Sequence, residues 1–190
     1  MVIASLWLLR ASWIVTGVIW VFASVFSKPT VKTGSPGARL LYLALAVIAG
    51  FCIGDKVLDW GWLGRRFLPH SPVILLVGAS LTAVGCLFAI WARAVLGRNW
   101  SGGPAVKQDH TLIQKGPYAL TRHPIYTGFL IALLGTTIAV ARYRAILGFV
   151  MVLVSLLVKA AQEEKLMTES FPKEYPQYRN RVRALVPWIF

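Results

Sequence analysis

The stretch Val73 to Trp91 reads VILLVGASLTAVGCLFAIW and carries no charged residue, and it decides the fold class of this chain. About 20 apolar residues in a row are long enough to cross the hydrocarbon core of a bilayer as a helix. Gly78, Thr82 and Gly85 are small side chains that let a neighbouring helix approach closely. The stretch therefore predicts a membrane-spanning helix packed tightly against a second one.

Four further apolar runs accompany this stretch: Ile3 to Phe26 (interrupted by Arg10), Leu40 to Ile53, Ile125 to Val140, and Ala145 to Val158. They predict an all-α integral membrane protein with about five transmembrane helices. Whether residues 40–63 form one full span stays open, because charged residues follow the second run. The last run would be only about 21 Å long as a helix, too short to span the bilayer. Its helix is therefore expected to continue past Lys159, which would carry Glu163 and Glu164 out into water.

Composition excludes several classes of protein. The chain is 57% hydrophobic and 14% charged, whereas soluble domains contain about 25% charged residues. Its net charge of +13 comes from Lys and Arg residues that lie between the apolar runs and form no continuous stripe. We therefore expect membrane lipids as partners of these residues and no nucleic acid.

The distribution of Lys and Arg predicts the orientation. With five spans, the loop 27–39, the loop 93–124 and the tail from Lys159 share one side, which carries 14 Lys and Arg. The opposite side carries 5, with Arg10 near the N-terminus. The richer side is expected in the cytoplasm, which places the N-terminus outside.

The chain changes character near residue 94. Residues 1–93 are predicted to be N-terminal transmembrane helices, and residues 94–190 a catalytic region, within one compact unit. The segment 94–123 is a long polar loop rich in Gly and Pro, and loops of this length inside compact domains are usually functional.

Arg122, His123 and Pro124 precede the fourth apolar run. Pro124 suits the first turn of a helix, so His123 would stand at its N-cap, where free backbone N–H groups attract an anion. The alternative is that Arg122 and His123 are ordinary interfacial residues facing lipid phosphates.

Glu163 and Glu164 are the only adjacent carboxylates in the chain. Lys159 precedes Glu163 by four residues, so both lie on one helix face. A carboxylate here could bind an ammonium group or ribose hydroxyls, and Lys159 could bind a substrate carboxylate. The alternative is a solvated helix end with a surface ion pair worth at most about 1 kcal/mol.

Other polar residues are less informative alone. His110 could be a general base, a cofactor contact or neither, and no second His or Cys stands at ligand spacing, so no metal site is predicted. Tyr118 and Tyr126 are equally compatible with an interfacial tyrosine belt.

The order of these motifs along the chain resembles that of a known protein family. Gly116-Pro117-Tyr118, then Arg122-His123-Pro124-x-Tyr126-x-Gly128, a hydrophobic hairpin, Glu163-Glu164 and a Phe–Glu-Tyr–Tyr tail are similar to the isoprenylcysteine carboxyl methyltransferases and their bacterial relatives. The resemblance covers roughly residues 99–187. It implies that S-adenosyl-L-methionine binds on the cytoplasmic side of the membrane. For this chain we expect that membrane to be a bacterial inner membrane. It also implies a pocket formed by the polar loop, the helical hairpin and the C-terminal tail.

The resemblance implies roles for individual residues. We assign cofactor binding to His110, Thr111, Leu112, Ile113, Tyr118, His123, Pro124, Ile125, Tyr126, Glu163 and Glu164. Lys159 stands where eukaryotic members of the family have an Arg that holds the carboxylate of the substrate, and it keeps the charge without the bidentate fork. Catalytic roles are assigned to Lys159, Glu163 and Arg122.

The predicted function is methyl transfer from S-adenosyl-L-methionine to a lipophilic acceptor that enters from the bilayer and carries a carboxylate. The acceptor atom stays open, since a lipid, a small thiol or another lipophilic acid would also fit. One alternative is an NADPH-dependent membrane reductase of the sterol-reductase type. The other is a transport or assembly protein without enzymatic activity. The sequence leaves the oligomeric state open.

Overall fold

The computed structural model describes residues 1–54, 59–109 and 111–186. Its helices are α1 (Val2–Ser24), α2 (Pro36–Gly54), α3 (Pro72–Leu96), α4 (Pro124–Val140), α5 (Tyr143–Ser170) and α6 (Glu174–Arg181). Two short strands, β1 (Thr30–Thr33) and β2 (Ala105–Lys107), pair antiparallel, and the 3₁₀ turns are Gly97–Asn99 and Gly116–Ala119.

The helices confirm the prediction of an all-α integral membrane protein. α1, α2, α3 and α5 are long and apolar enough to cross a bilayer, and α4 is a shorter apolar helix. Large apolar side chains such as Val18 and Phe22 point outward, whereas Thr82 and Ser155 are buried. This exposure pattern suits a bundle whose outer surface is covered by lipid.

Glycines place α3 and α4 in backbone contact, as the small residues of α3 predict. A Cβ atom at Gly85 would lie 2.3 Å from the Ala132 nitrogen, and one at Gly135 would lie 2.4 Å from the Thr82 nitrogen. Both distances are shorter than any real Cβ contact, so a larger residue at either position would force the helices apart.

The helical hairpin is also confirmed. α4 ends at Val140 and is capped by Ala141, whose φ of 54° is left-handed, and α5 starts at Tyr143. α5 then continues to Ser170, so it carries Lys159, Glu163 and Glu164 as expected.

Three local features differ from the sequence prediction. The β1–β2 ribbon joins segments that the sequence placed in loops, and its strands are too short and too distant in sequence to give a local signal. α2 starts at Pro36, before the apolar run. α3 continues to Leu96, three residues past Arg93, and it ends where Gly97 adopts a φ of 56°.

The polar segments gather at one end of the bundle, which we call the site end. There, Lys28 N–H donates to the Arg98 carbonyl at 3.0 Å, and Gly34 N–H donates to the Pro104 carbonyl at 2.9 Å. The tail folds back to the same end, where Arg122 N–H donates to the Arg183 carbonyl at 2.8 Å. Three segments that are far apart in sequence therefore enclose the start of α4 and the end of α5.

Candidate active site

A cavity of about 350 Å³ lies at the site end. Its wall includes eleven of the residues assigned from the sequence: Thr111, Leu112, Ile113, Tyr118, Arg122, His123, Pro124, Ile125, Tyr126, Lys159 and Glu163. Glu164 instead lines a second cavity on the opposite side of Arg122. His110 lies outside the described residues. The structure thus brings most of the predicted residues together, with Glu164 behind the wall.

Glu163 presents a carboxylate to this cavity. The Tyr126 hydroxyl donates to Glu163 Oε1, and His123 Nδ1 lies 3.4 Å from Glu163 Oε2. A carboxylate has about four acceptor positions, so the two partners that Glu163 has in the described part of the chain leave it acceptor capacity. The side chain is 24% exposed, which makes that capacity available to a bound molecule.

Arg122 and Glu164 form a partly buried ion pair behind the cavity wall. Arg122 Nε and Nη2 donate to Glu164 Oε1 at 2.9 and 2.6 Å, and Nη1 donates to the Val182 carbonyl. Each guanidinium nitrogen is therefore engaged by the protein. Arg122 touches the cavity, but its contacts serve to fix Glu164 and the folded-back tail.

His123 stands between the two carboxylates. Its Nε2 lies 3.2 Å from Glu164 Oε1, and its ring stacks on Tyr126 with centroids 5.3 Å apart. Burial alone would lower the pKa of His123, but hydrogen bonds and charges from Glu163 and Glu164 outweigh it and raise the pKa overall. This environment favours the imidazolium form, which bridges both carboxylates and fixes the orientation of Glu163.

Lys159 contributes a second charge to the cavity. Its ammonium donates to the Gly102 carbonyl at 3.1 Å and lies 5.2 Å from the centre of the Tyr126 ring. An ammonium has three donors, so its one hydrogen bond among the described residues leaves two donors for a ligand. Lys159 and Glu163 thus border one cavity, one helical turn apart.

The sequence analysis missed several wall residues. Asn99 Nδ2 donates to Thr111 Oγ1 at 3.2 Å, but the buried Asn99 Oδ1 has no hydrogen-bond partner among the described residues. Trp20 of α1 and Trp100 complete the wall with aromatic rings. A single Asn or Trp carries no motif, so only the folded chain could identify these residues.

Residues 76–169 match the sequence profile of the isoprenylcysteine carboxyl methyltransferase (ICMT) family. This region of the chain belongs to that family. The match confirms the resemblance drawn from the Arg-His-Pro and Glu-Glu motifs. The ICMT profile starts within α3 and ends one residue before the end of α5, so it includes the cavity-lining segments between them and leaves out α1, α2 and the tail.

Three proteins to which the chain is similar carry different names. The chain is 31% identical to protein-S-isoprenylcysteine O-methyltransferase of Saccharomyces cerevisiae over 57% of this chain and 49% of that protein. It is 29% identical to cobalt-zinc-cadmium resistance protein CzcN of Cupriavidus metallidurans, over 74% of this chain and 58% of CzcN. Identity to methanethiol S-methyltransferase 1 of Bradyrhizobium diazoefficiens is 35%, over 37% of this chain and 24% of that protein.

The chain spans about half the length of the yeast relative. Two of the three names describe methyltransferases, yet one acceptor is an isoprenylcysteine and the other is a small thiol. Family membership therefore leaves the acceptor to be argued from the site.

Proposed function

We propose that this ICMT-family protein is a membrane methyltransferase that transfers a methyl group from S-adenosyl-L-methionine to a lipophilic, carboxylate-bearing acceptor. The observation that carries the proposal is the pairing of Glu163 and Lys159 on one cavity at the end of a membrane-spanning helix. One carboxylate and one ammonium, each with unused hydrogen-bonding capacity, suit a zwitterionic cofactor and an anionic acceptor respectively.

The wall residues fit the cofactor. Glu163 suits its ammonium group or ribose hydroxyls, and the unpaired Asn99 Oδ1 offers an acceptor for a ligand N–H or O–H group. Aromatic faces such as that of Tyr126 attract a positively charged sulfonium. We assign the remaining cofactor contacts to residues 110–113, Tyr118 and residues 123–126, as the resemblance to the family implies.

Residues of the cavity wall then align the acceptor with the methyl group of the cofactor. S-adenosyl-L-methionine supplies an electrophilic methyl group on a sulfonium. A carboxylate acceptor is ionised at neutral pH, so no side chain has to act as a general base. Lys159 holds the acceptor carboxylate, Glu163 holds the cofactor, and apolar wall residues such as Ile125 and Leu156 exclude water. Arg122, assigned as catalytic from the sequence, is a positioning residue in this scheme because Glu164 and the tail occupy its donors.

We further propose that the site end faces the cytoplasm of a bacterial inner membrane, with the N-terminus outside. In this arrangement residues 94–190 supply most of the cavity, and residues 1–93 supply the surrounding helices. The support is the excess of Lys and Arg in segments that gather at the site end. A C-terminal reporter fusion should be active in the cytoplasm, and activity restricted to the external side would contradict this orientation.

The experiment that tests the function is methyl transfer by purified full-length protein in detergent. Cofactor labelled on its methyl group would be mixed with a lipid extract and with N-acetyl-S-farnesylcysteine, and the products identified by mass. Label in a methyl ester of the prenylcysteine supports the proposal. Binding of NADPH together with no binding of S-adenosyl-L-methionine would overturn it in favour of the reductase alternative.

A further inference from the structure

A second cavity, of about 490 Å³, lies between α5 and the segment 179–185 of the tail. Arg122 and Glu164 stand between this second cavity and the candidate active site, and the methyl-transfer scheme makes no use of it. Its wall has two characters, because Arg179 and Arg183 give it a polar side and apolar residues such as Leu157 give it an apolar side. A cavity of this size and character can hold a ligand of its own.

The wall of the second cavity has an excess of positive charge. Three arginines (Arg122, Arg179 and Arg183) and one carboxylate (Glu164) line it, a net charge of +2. Glu164 is engaged by Arg122, as described above, and Arg179 Nε lies 3.6 Å from Glu164 Oε2, beyond hydrogen-bonding distance. Arg183 is exposed, and its side chain makes no hydrogen bond or ion pair within the part of the chain that the structure describes. Arg179 and Arg183 therefore keep guanidinium donors for an anion.

The apolar side of the second cavity continues into the membrane-spanning part of α5. Leu157 and Ala161 line the cavity, and Val154 and Val150 precede them at spacings of three and four residues, so the four lie on one helix face. All four are exposed. Because α5 is long and apolar enough to cross a bilayer, this face lies against lipid. The arginines thus stand where a lipid-facing surface meets the polar site end.

We propose that the second cavity binds the phosphate head group of an anionic membrane lipid. The phosphate accepts hydrogen bonds from Arg179 and Arg183, since the planar fork of a guanidinium matches phosphate oxygens. The acyl chains remain in the bilayer along the exposed face of α5. A net negative head group is favoured over a zwitterionic one, because the positive charge of the cavity repels an ammonium group. Basic pockets at this depth of a membrane protein suit anionic lipid head groups.

A lipid in this position fastens the tail onto the bundle. Arg122 N–H donates to the Arg183 carbonyl at 2.8 Å, and His123 N–H donates to the Ala184 carbonyl at 3.0 Å. The segment that offers donors to the phosphate therefore also holds the start of α4. Since a ligand that binds only the folded protein stabilises it, the anionic lipid should raise the temperature of thermal unfolding.

The first test locates the lipid and requires no variant. Phosphatidylglycerol with a diazirine next to its head group is placed with the full-length protein in nanodiscs of phosphatidylcholine and irradiated, and the labelled peptides are identified by mass. We expect label on residues 157–161 and 179–185 that disappears when unlabelled phosphatidylglycerol is added. Label that is confined to other segments, or that unlabelled phosphatidylglycerol does not reduce, would overturn the proposal.

The second test measures affinity by native mass spectrometry of the purified protein titrated with phosphatidylglycerol in a neutral detergent. The double variant Arg179→Gln/Arg183→Gln should bind about twenty- to thirtyfold more weakly, because each basic residue near an anionic lipid contributes about fivefold. The control Arg65→Gln/Arg66→Gln removes the same charge from two exposed arginines next to the start of α5, at the opposite end of the bundle. It should bind within about twofold of the wild type, since it leaves the second cavity intact. Phosphatidylglycerol should raise the unfolding temperature of the wild type and the control only.

Three outcomes would overturn the assignment. Equal weakening in the two double variants would mean that the lipid responds only to the overall charge of the protein. Equal affinity of the wild type for phosphatidylglycerol and phosphatidylcholine would remove the role of the positive cavity. Displacement of phosphatidylglycerol by an equal concentration of inorganic phosphate would make the second cavity a site for a soluble anion.

Discussion

Both ends of the helical bundle contain a buried arginine beside a carboxylate, yet the two networks do different things. At the site end, Arg122 pairs with Glu164, and the adjacent Glu163 opens onto a cavity. At the opposite end, Arg144 Nε donates to Asp59 Oδ1 at 2.7 Å, and its Nη1 donates to the carbonyls of Cys52 and Ile53 at 2.7 and 2.8 Å. The second network closes the C-terminal end of α2 onto the start of α5.

The difference shows what separates a structural ion pair from a functional one. Arg144 gives its donors to backbone carbonyls that a helix end leaves unpaired, so its contacts are internal to the fold. Glu163 is held by Tyr126 and His123 but keeps acceptor capacity towards open space. Charge and burial alone do not distinguish the two ends; unused hydrogen-bonding capacity on a cavity does.

The largest expected effect is on stability, at the Arg144 end. Arg144→Ala removes the buried partner of Asp59, which keeps Arg142 Nη1 3.4 Å from its Oδ2, and it leaves the carbonyls of Cys52 and Ile53 without their guanidinium donor. The free energy of unfolding should fall by about 2–5 kcal/mol, because two acceptors lose a charged donor. Protein that still folds should bind S-adenosyl-L-methionine with unchanged affinity. Thermal unfolding in detergent and calorimetry measure the two quantities. If Arg144→Ala instead lowered cofactor affinity and left stability unchanged, the Arg144 network would have a functional role, and the contrast with the Glu163 site would not hold.

The next effect is on cofactor affinity, at the site end. Glu163→Gln removes the charge that faces the cavity and should weaken binding of S-adenosyl-L-methionine about ten- to a hundredfold, as loss of a charged hydrogen bond does. Glu169→Gln is the control, because Glu169 lies on the same helix but is exposed and paired with Lys32. Calorimetry should show unchanged affinity in the control. If Glu163→Gln and Glu169→Gln bound S-adenosyl-L-methionine with equal affinity, Glu163 would be only a solvated residue near the end of the helix.

Lys159 should affect the acceptor more than the cofactor. Lys159→Ala removes an ammonium with donors left for an anion, so KM for N-acetyl-S-farnesylcysteine should rise by about tenfold with cofactor affinity little changed. Lys165→Ala, an exposed lysine on the same helix, is the matched control. Lost cofactor binding with intact acceptor kinetics would show that the roles of Lys159 and Glu163 are wrongly assigned.

Much of this arrangement was accessible from the sequence, for identifiable reasons. Long apolar runs have no soluble alternative, so bilayer thickness predicts the spans and the continuation of α5 past Lys159. Helical spacing placed Lys159 and Glu163 together. The β1–β2 ribbon, Trp20 and Asn99 were missed, because their positions depend on contacts between segments far apart in the chain. The same holds for Glu164: spacing placed it beside Glu163, but only the Arg122 contact shows that it lies behind the cavity wall.

The smallest effect is a dependence of stability on pH at the site end. The pKa of His123 is raised in the folded protein because Glu163 and Glu164 outweigh the opposing effect of burial. A group with a raised folded pKa stabilises the fold fully below its unfolded pKa, about 6.5 for histidine, and this contribution disappears as pH rises through the folded value. Stability should therefore fall above about pH 6.5 in the wild type, and this component should be absent in His123→Gln.

Thermal unfolding from pH 6 to 9, with His70→Gln as an exposed-histidine control, measures the slope of stability against pH. A wild-type slope that persists unchanged in His123→Gln would mean that the imidazolium does not bridge the two carboxylates, and the orientation of Glu163 would then depend on Tyr126 alone.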